Sequence, residues 1–587
     1  MKTGPAYNAS RFSLLRRMPL LVSLAGLLTV IYEYGFGAKI TLPGGSGGLY
    51  VVVLVLGMLS LAAQYAISSW RPRRLAWWVD ALYFVGLLLL VLHQTGGALL
   101  TWVLPNYLVY LGIFWVFARE FSDWRLPTKT TYLNPARLFV GSFLGLVILG
   151  SLLLMLPKAT REPISYIDAV FTSTSAVCVT GLIVVDTATQ FSKFGQVIIM
   201  LLIQVGGLGI MTFTSYFSYF FRGESSFQQQ MALRDMTSSD KVAEVFQSLR
   251  KIIALAFIVE SIGAVLVYLS VDHALFRSPS EVLFFSVFHA ISGFCNAGFS
   301  TFTNGLYESG IRYNYPLHLI LAGLFIIGGI GFPIAFNFIR YLRHLVVDRL
   351  IPAGTKGRSV HIPWIINLNT RIVLITTGIL LLGGTLLIGM LEWNNTLAGH
   401  PLHGKLSLAF FNSATPRTAG FNVVDMTALH FPTLMLILFL MWVGASPAST
   451  GGGIKTSTLA LATLNYYSIA RGKVKTELYG REISNNSIRR AFALISLSLV
   501  TIGFSIFFLS MTEKDQGLLA LTFESISAYS TVGLSLNVTP TLSQPGKMII
   551  ILTMFVGRVS LLSILISLLP QHKSRNVHYP KDEILIN

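Results

Sequence analysis

Four short stretches share a glycine in the same setting: Ser175-Ala-Val-Cys-Val-Thr-Gly181-Leu182, Gly293-Phe-Cys-Asn-Ala-Gly298-Phe299, Thr415-Pro-Arg-Thr-Ala-Gly420-Phe421 and Ser527-Ala-Tyr-Ser-Thr-Val-Gly533-Leu534. The glycines lie 117, 122 and 113 residues apart, a near-constant period that indicates one supersecondary unit used four times. Cys178 and Cys295 each sit three residues before their glycine, Asp186 and Asp425 each five after, and a bulky apolar residue follows every glycine. Glycine visits positive φ without a Cβ penalty and so lets a chain turn its carbonyl groups toward a common centre. Rings of such carbonyls can replace the hydration shell of a cation. The candidate ion-binding residues are therefore Val179, Thr180 and Gly181; Asn296, Ala297 and Gly298; Thr418, Ala419 and Gly420; and Thr531, Val532 and Gly533. One such glycine alone would as readily mark a turn or a close helix contact; the fourfold recurrence is what favours a site.

The elements that must hold these loops are apolar. Of 587 residues 53% are hydrophobic and only 12% charged, too little charge to cover a soluble protein of this size. Runs of about 20 apolar residues, the length that crosses a hydrocarbon core, recur throughout. The expected spans are 18–36, 48–69, 76–93, 98–118, 137–156, 195–220, 250–271, 317–341, 371–391, 430–463, 489–511 and 546–569. Short helices are expected near 166–176, 281–292, 404–414 and 518–529, each ending at a glycine loop with its negative dipole end toward the ion. The fold class this predicts is an all-α polytopic membrane protein: four pseudo-symmetric helix–pore-loop–helix repeats around one pore, preceded by four extra transmembrane helices. The expected division is 1–130 as an accessory membrane domain, then repeats over 131–235, 236–350, 351–475 and 476–587, the last with a short cytoplasmic tail.

The net charge of +18 could suggest nucleic acid, but the basic residues cluster in short loops, among them Arg71, Arg73 and Arg74; Arg119, Arg125 and Lys129; Arg340, Arg343 and Arg349; and Arg471, Lys473 and Lys475. That is the pattern of a polytopic protein retaining Lys and Arg on the cytoplasmic side. It predicts a multi-pass protein of the plasma (inner) membrane with both termini cytoplasmic, lipid as its surroundings and no nucleic-acid partner. Residues 1–36 have the basic start and apolar run of a signal peptide but lack a small-residue cleavage site, so they are read as a helix. The 98–118 segment contains no Arg or Lys, which argues against a voltage sensor. The two cysteines make neither a disulfide framework nor a metal cluster.

The 430–463 segment is interrupted by Gly444-Ala-Ser-Pro-Ala-Ser-Thr-Gly-Gly-Gly453-Ile454-Lys455. Pro447 and the three glycines Gly451, Gly452 and Gly453 cannot sustain a regular helix, so an irregular loop at membrane depth is expected. An ordinary kink is the alternative. Arg558 falls inside the last apolar run, where a charge costs roughly 2.5–3.5 kcal/mol on insertion scales and must face a polar cavity or a partner. At about 8 Å and an effective dielectric near 20 it would repel a passing cation by about 2 kcal/mol. Both readings, pathway charge or inter-helix ion pair, apply to Lys455 too. Glu260 is a packing group or a pathway group, and Asp186 and Asp425 either concentrate cations outside the loops or are solvated loop residues.

With these motifs in view the chain resembles the Trk/Ktr/HKT superfamily of potassium transporters. Phe171-Thr-Ser-Thr-Ser-Ala-Val-Cys-Val-Thr-Gly181-Leu182, Gln204-Val-Gly-Gly-Leu-Gly-Ile-Met211, the Gly298 and Gly420 contexts and Thr450-Gly-Gly-Gly-Ile-Lys-Thr456 carry the resemblance, over about 130–570. It implies a K⁺ filter at the glycine loops, with glycine rather than serine at 181 favouring K⁺ over Na⁺. It also implies a gate formed by Gly444, Gly451, Gly452, Gly453 and Lys455 beneath the filter, with Arg558 as the arginine the family carries in its last helix. The Ala-Ser-Pro-Ala at 445–448 departs from relatives richer in Gly and Ser. A homodimer and a cytoplasmic ring of nucleotide-binding regulatory subunits are further implications of the resemblance. K⁺ is the expected transported ion, Na⁺ a second candidate, and no organic cofactor is expected. The expected function is potassium uptake driven by the membrane potential, about 2.3 kcal/mol per charge per 100 mV. The alternative is a Na⁺- or H⁺-coupled symport of another cation or solute; nothing in the sequence points to an enzyme.

Overall fold

The computed structural model describes residues 18–37, 45–67, 74–95, 107–122, 135–209, 245–350, 366–473 and 475–569. Four helices come first: α1 (Met18–Phe36), α2 (Gly45–Ile67), α3 (Arg74–Gln94) and α4 (Tyr107–Ser122). They pack on one another around Tyr50, Leu54, Leu87, Val109 and Ile113. Their polar groups pair internally: Tyr50 donates to Glu33 at 2.6 Å, and Arg119 reaches Asp80 at 3.0 Å and lies 4.9 Å over the Tyr83 ring. Arg119, expected in a cytoplasmic loop, is thus in the last turn of α4. The expected 98–118 span coincides with α4 only from Tyr107, and 96–106 lie outside the described residues.

The remainder is built from α5 (Pro135–Leu154), α6 (Tyr166–Val177), α7 (Lys193–Gly207), α8 (Val245–Ser270), α9 (Pro279–Phe294), α10 (Tyr315–Ile330), α11 (Phe332–Leu350), α12 (Leu368–Glu392), α13 (Leu402–Ala414), α14 (Phe431–Trp442), α15 (Thr456–Ala470), α16 (Asn485–Thr512), α17 (Leu518–Ser530), α18 (Gln544–Val559) and α19 (Leu561–Leu568). A two-residue ribbon, β1 (Glu477–Leu478) against β2 (Arg481–Glu482), is the sole sheet among the described residues. The short helices α6, α9, α13 and α17 start and stop where expected, to within two residues at each end. Ser165 caps α6 by accepting from the Asp168 amide, and Pro279 opens α9 at a position where a missing N–H costs nothing.

Each short helix packs on the long helix before it: α5 on α6, α8 on α9, α12 on α13, α16 on α17. Contacts between units run in one direction, α7 to α9, α10 to α13, α14 to α17 and α18 back to α6. The order therefore closes on itself, and each short helix buries an aromatic side chain, Phe171, Phe294, Phe411 or Phe523.

Five helices among the described residues are individually long and apolar enough to cross a membrane: Met18–Phe36, Ser46–Ala63, Lys251–Ser270, Leu368–Glu392 and Asn485–Thr512. The helix following each glycine loop is shorter, and after α10, α14 and α18 the chain goes on into a second helix. The expected continuous span 317–341 is instead α10 and α11, bent by 105°. Gly331 at φ 92° makes the bend, and Pro333 follows in the first turn of α11, where it cannot extend the preceding ladder. The expected span 546–569 likewise divides at Ser560, φ 70°, so Arg558 lies in the last turn of α18 rather than in mid-helix. The expected 195–220 span ends as a helix at Gly207, with Gly209 at φ 74°; residues 210–244 lie outside the described residues. The interruption foreseen within 430–463 runs from Val443 to Lys455.

Candidate functional site

At the carboxyl ends of the four short helices the backbone takes the same course four times. Positive φ occurs two residues before the glycine and again at it: Val179 56° and Gly181 86°, Asn296 61° and Gly298 67°, Thr418 82° and Gly420 76°, Thr531 51° and Gly533 95°. A left-handed conformation at a β-branched residue such as Val179 or Thr531 costs of order 1–3 kcal/mol and persists only where the surroundings impose it. Here they do. The amide of Thr180 donates to the Ser175 carbonyl at 2.7 Å, Ala297 to Ser292 at 2.7 Å, Ala419 to Thr415 at 2.9 Å and Val532 to Ser527 at 2.9 Å.

Side-chain hydroxyls complete the fastening. The Gly181 and Gly533 amides donate to the hydroxyls of Ser175 (3.0 Å) and Ser527 (3.1 Å). In the other two loops the hydroxyl donates onward, Ser292 to the Phe299 carbonyl (2.8 Å) and Thr415 to that of Phe421 (2.7 Å). These four residues were absent from the sequence-derived candidates. Their signal was present as a hydroxyl six residues ahead of Gly181, Gly298 and Gly533, and five ahead of Gly420.

The loops meet. A Cβ on Gly298 would stand 2.9 Å from the Ala419 carbonyl oxygen; one on Gly181 would overlap the Ala297 oxygen, on Gly420 that of Val532, and on Gly533 that of Thr180. The glycines are thus required twice over, by φ and by the neighbouring loop's carbonyl, and the contact order 181–298–420–533–181 is cyclic. Above them lies a cavity of about 760 Å³ lined by all four glycines and by Asp186, Glu308, Arg312 and Asp425. Asp186 accepts from the Ala188 amide at 2.8 Å, and its second oxygen is buried without a hydrogen-bond partner among the described residues. Asp425 accepts from the Thr427 amide and hydroxyl at 2.9 and 2.7 Å.

Beneath the loops runs the Gly444–Lys455 segment. A Cβ on Gly451 would overlap the Thr418 hydroxyl, and one on Gly452 the Thr531 hydroxyl. The segment is held in part by the break in α10: the Ser446 amide donates to Gly329 O (3.0 Å), Thr450 to Gly328 O (3.3 Å), and Phe332 to Ala448 O (3.3 Å). The backbone groups freed by two helix breaks satisfy each other, which is what makes irregular chain tolerable at membrane depth. Lys455 folds back, its Nζ donating to Gly451 O at 2.6 Å and Gly452 O at 3.3 Å. Arg558 donates to Thr450 O and, on its other arm, to Gly206 O at the end of α7. The hydrogen bonds of both cations therefore run to carbonyl oxygens. Glu260, 4% exposed, accepts from Gln204 at 2.9 and 3.0 Å and from the Cys295 thiol at 3.8 Å, tying α7 and the second loop to α8. The cysteines are free and buried.

Apolar helices with exposed Leu, Ile and Phe faces, packed around a polar cavity and a floor of glycine loops, define a helical multi-pass membrane protein. The family described as "TrkH: Cation transport protein" matches residues 139–577, and the chain belongs to it. It is 36% identical over 452 residues to the Ktr system potassium uptake protein B of Vibrio alginolyticus, covering 76% of this chain and 94% of that one. It is 34% identical over 462 residues to the potassium/sodium uptake protein NtpJ of Enterococcus hirae, covering 77% and 97%. The crystal structure of the potassium transporter TrkH from Vibrio parahaemolyticus has the same fold, with a TM-score of 0.60 over 89% of this chain and 97% of that one at 18% identity.

Proposed function

We propose that this chain is the pore-forming subunit of a potassium uptake system, in which four repeats surround one pore and the loops at 179–181, 296–298, 418–420 and 531–533 form its selectivity filter. The observation that carries the reading is the cyclic contact of four glycine loops, each with paired positive-φ positions, below a cavity bearing Asp186, Glu308 and Asp425. Successive carbonyls of such a loop offer oxygen ligands to a stripped ion. The hydroxyls of Thr180, Ser530 and Thr531, buried and without hydrogen-bond partners among the described residues, add oxygens with free lone pairs at the same level. An ion that enters must then pass Gly451 and Gly452, so the Gly444–Lys455 segment serves as the gate, pinned by Lys455 and Arg558. The names of the Vibrio and Enterococcus relatives support K⁺ as the transported ion, and the second supports Na⁺ as a further or coupled ion. The name "Ktr system" supports a separate regulatory subunit on the cytoplasmic side; a homodimer and cytoplasmic termini complete the proposal.

Potassium-limited growth of a host lacking its own uptake systems, with Rb⁺ influx as the direct assay, tests the function. Gly298→Ser and Gly420→Ser test the filter: each adds a Cβ at positive φ against a neighbouring loop, and each is expected to lower the K⁺/Na⁺ influx ratio at least tenfold. An unchanged ratio in both variants would remove the loops from consideration as the filter.

A further inference from the structure

Behind two of the four loops a buried pore-helix side chain reaches the strand that leaves the glycine. His289, nine residues before Gly298, holds the hydroxyl of Ser300, two residues after it, at 3.0 Å. Glu524, nine residues before Gly533, holds the hydroxyl of Ser535, two residues after it. The spacing is identical, and both acceptors are fully buried. The imidazole proton is fixed by its surroundings: Nδ1 faces the Phe285 carbonyl at 2.9 Å, which only accepts, so Nε2 is the acceptor for Ser300. The Glu524 carboxyl also takes the Thr539 hydroxyl at 3.1 Å. Ser300, Ser535 and Thr539 all line the outer cavity.

The other two loops lack this latch. Their positions two after the glycine are Ile183 and Asn422; the side chain nine before Gly181 is Thr172, whose buried hydroxyl has no hydrogen-bond partner among the described residues, and nine before Gly420 it is Phe411. In the cyclic order the latched loops, the second and fourth, face each other across the centre.

We infer that His289 and Glu524 are positioning residues for ion selection: each fixes, through Ser300 or Ser535, the exit strand of its loop, so that two opposite sides of the ring carry a restraint that the other two lack. The inference rests on the loops being the filter. One way a ring of carbonyls discriminates between cations is by a radius that resists collapse onto the smaller ion, and a buried hydrogen bond that spans the loop supplies that resistance.

The test is the K⁺/Na⁺ influx ratio of the full-length protein in cells, with thermal melting of the purified protein alongside. Glu524→Ala and His289→Ala are expected to lower the ratio about tenfold, the effect of losing one well-placed buried hydrogen bond, while K⁺ influx persists. Glu524→Gln and His289→Gln, which keep an acceptor oxygen, should recover the ratio to within about twofold of wild type. Ser535→Ala and Ser300→Ala remove the donor, and with it the acceptor of the Thr539 hydroxyl (3.1 Å) and of the Phe302 amide (3.0 Å), and should reproduce the alanine effect, which keeps the inference testable if the acceptor variants do not fold. Serine variants that retain the wild-type ratio while Gly420→Ser loses it would overturn the latch and leave the filter standing. A ratio unmoved by the latch variants and by Gly420→Ser alike would overturn both.

Discussion

The guanidinium of Arg558 joins the carbonyl of Thr450 to that of Gly206, so one side chain at the end of α18 holds both the intramembrane segment and the end of α7. Among the described residues it does so without a carboxylate. The positive charge thus stands beside the path proposed for an ion below the four loops, hydrogen-bonded to carbonyl oxygens.

Removing that charge should release the segment and relieve repulsion together. Arg558→Gln is expected to raise maximal Rb⁺ influx several-fold, the scale set by about 1–2 kcal/mol of electrostatic barrier, with the K⁺/Na⁺ ratio unchanged. Influx at or below the wild-type level would show that the arginine only supports the fold.

Gly331 carries the break between α10 and α11 that docks the intramembrane segment. At φ 92° and with the Pro447 carbonyl where a Cβ would stand, Gly331→Ala is strained and crowded at once. We expect a loss of roughly 1–3 kcal/mol of stability, read as a lower melting temperature, together with altered gating. Wild-type melting and flux would mean that the break yields more easily than its geometry implies.

Asp186 and Asp425 face the outer cavity and should act by attracting cations before any is stripped of water. Asp186→Asn with Asp425→Asn is expected to weaken apparent K⁺ affinity about two- to fivefold at low ionic strength and to have little effect near 0.5 M salt, where screening shortens the reach of surface charge to a few ångströms. A deficit that persists undiminished at high salt would point to direct coordination instead.

His400 lies in the loop before α13, with Tyr315 Oη 2.8 Å from its Nδ1. Burial, and then the positive charges of Arg312 and Lys405, hold its pKa below the ordinary histidine value. Because the folded state binds the proton less readily than the unfolded chain, the stability it contributes is present above the unfolded value of about 6.5 and falls away as the pH drops below it. Melting temperature should therefore fall between pH 7 and pH 5, and His400→Asn should flatten part of that fall. An identical slope in the variant would assign the acid sensitivity elsewhere.

Much of this site was legible in the chain itself. Gly181, Gly298, Gly420 and Gly533 announce themselves because positive φ is a local demand that a residue type answers. Pro447 with Gly451–Gly453 forecasts a broken helix for the same reason, and the apolar runs forecast the membrane. The short helices were legible because each is a short apolar segment that ends at a glycine motif within its own sequence.

Other features depended on residues brought from far away. Ser560 is no helix breaker, yet α18 stops there. Gly331 sits in a run that reads as one apolar span, and the backbone groups its bend frees, on Gly328, Gly329 and Phe332, find their partners in Thr450, Ser446 and Ala448. The cyclic order of the loops, the carbonyl partners of Arg558 and Lys455, and the bonds of His289 and Glu524 to serines beyond the glycines are all relations between segments. Local conformational preference and hydrophobic length are written residue by residue, so the sequence determines them; which backbone groups satisfy one another where water is excluded is a property of the packed whole, and only the tertiary structure decides it.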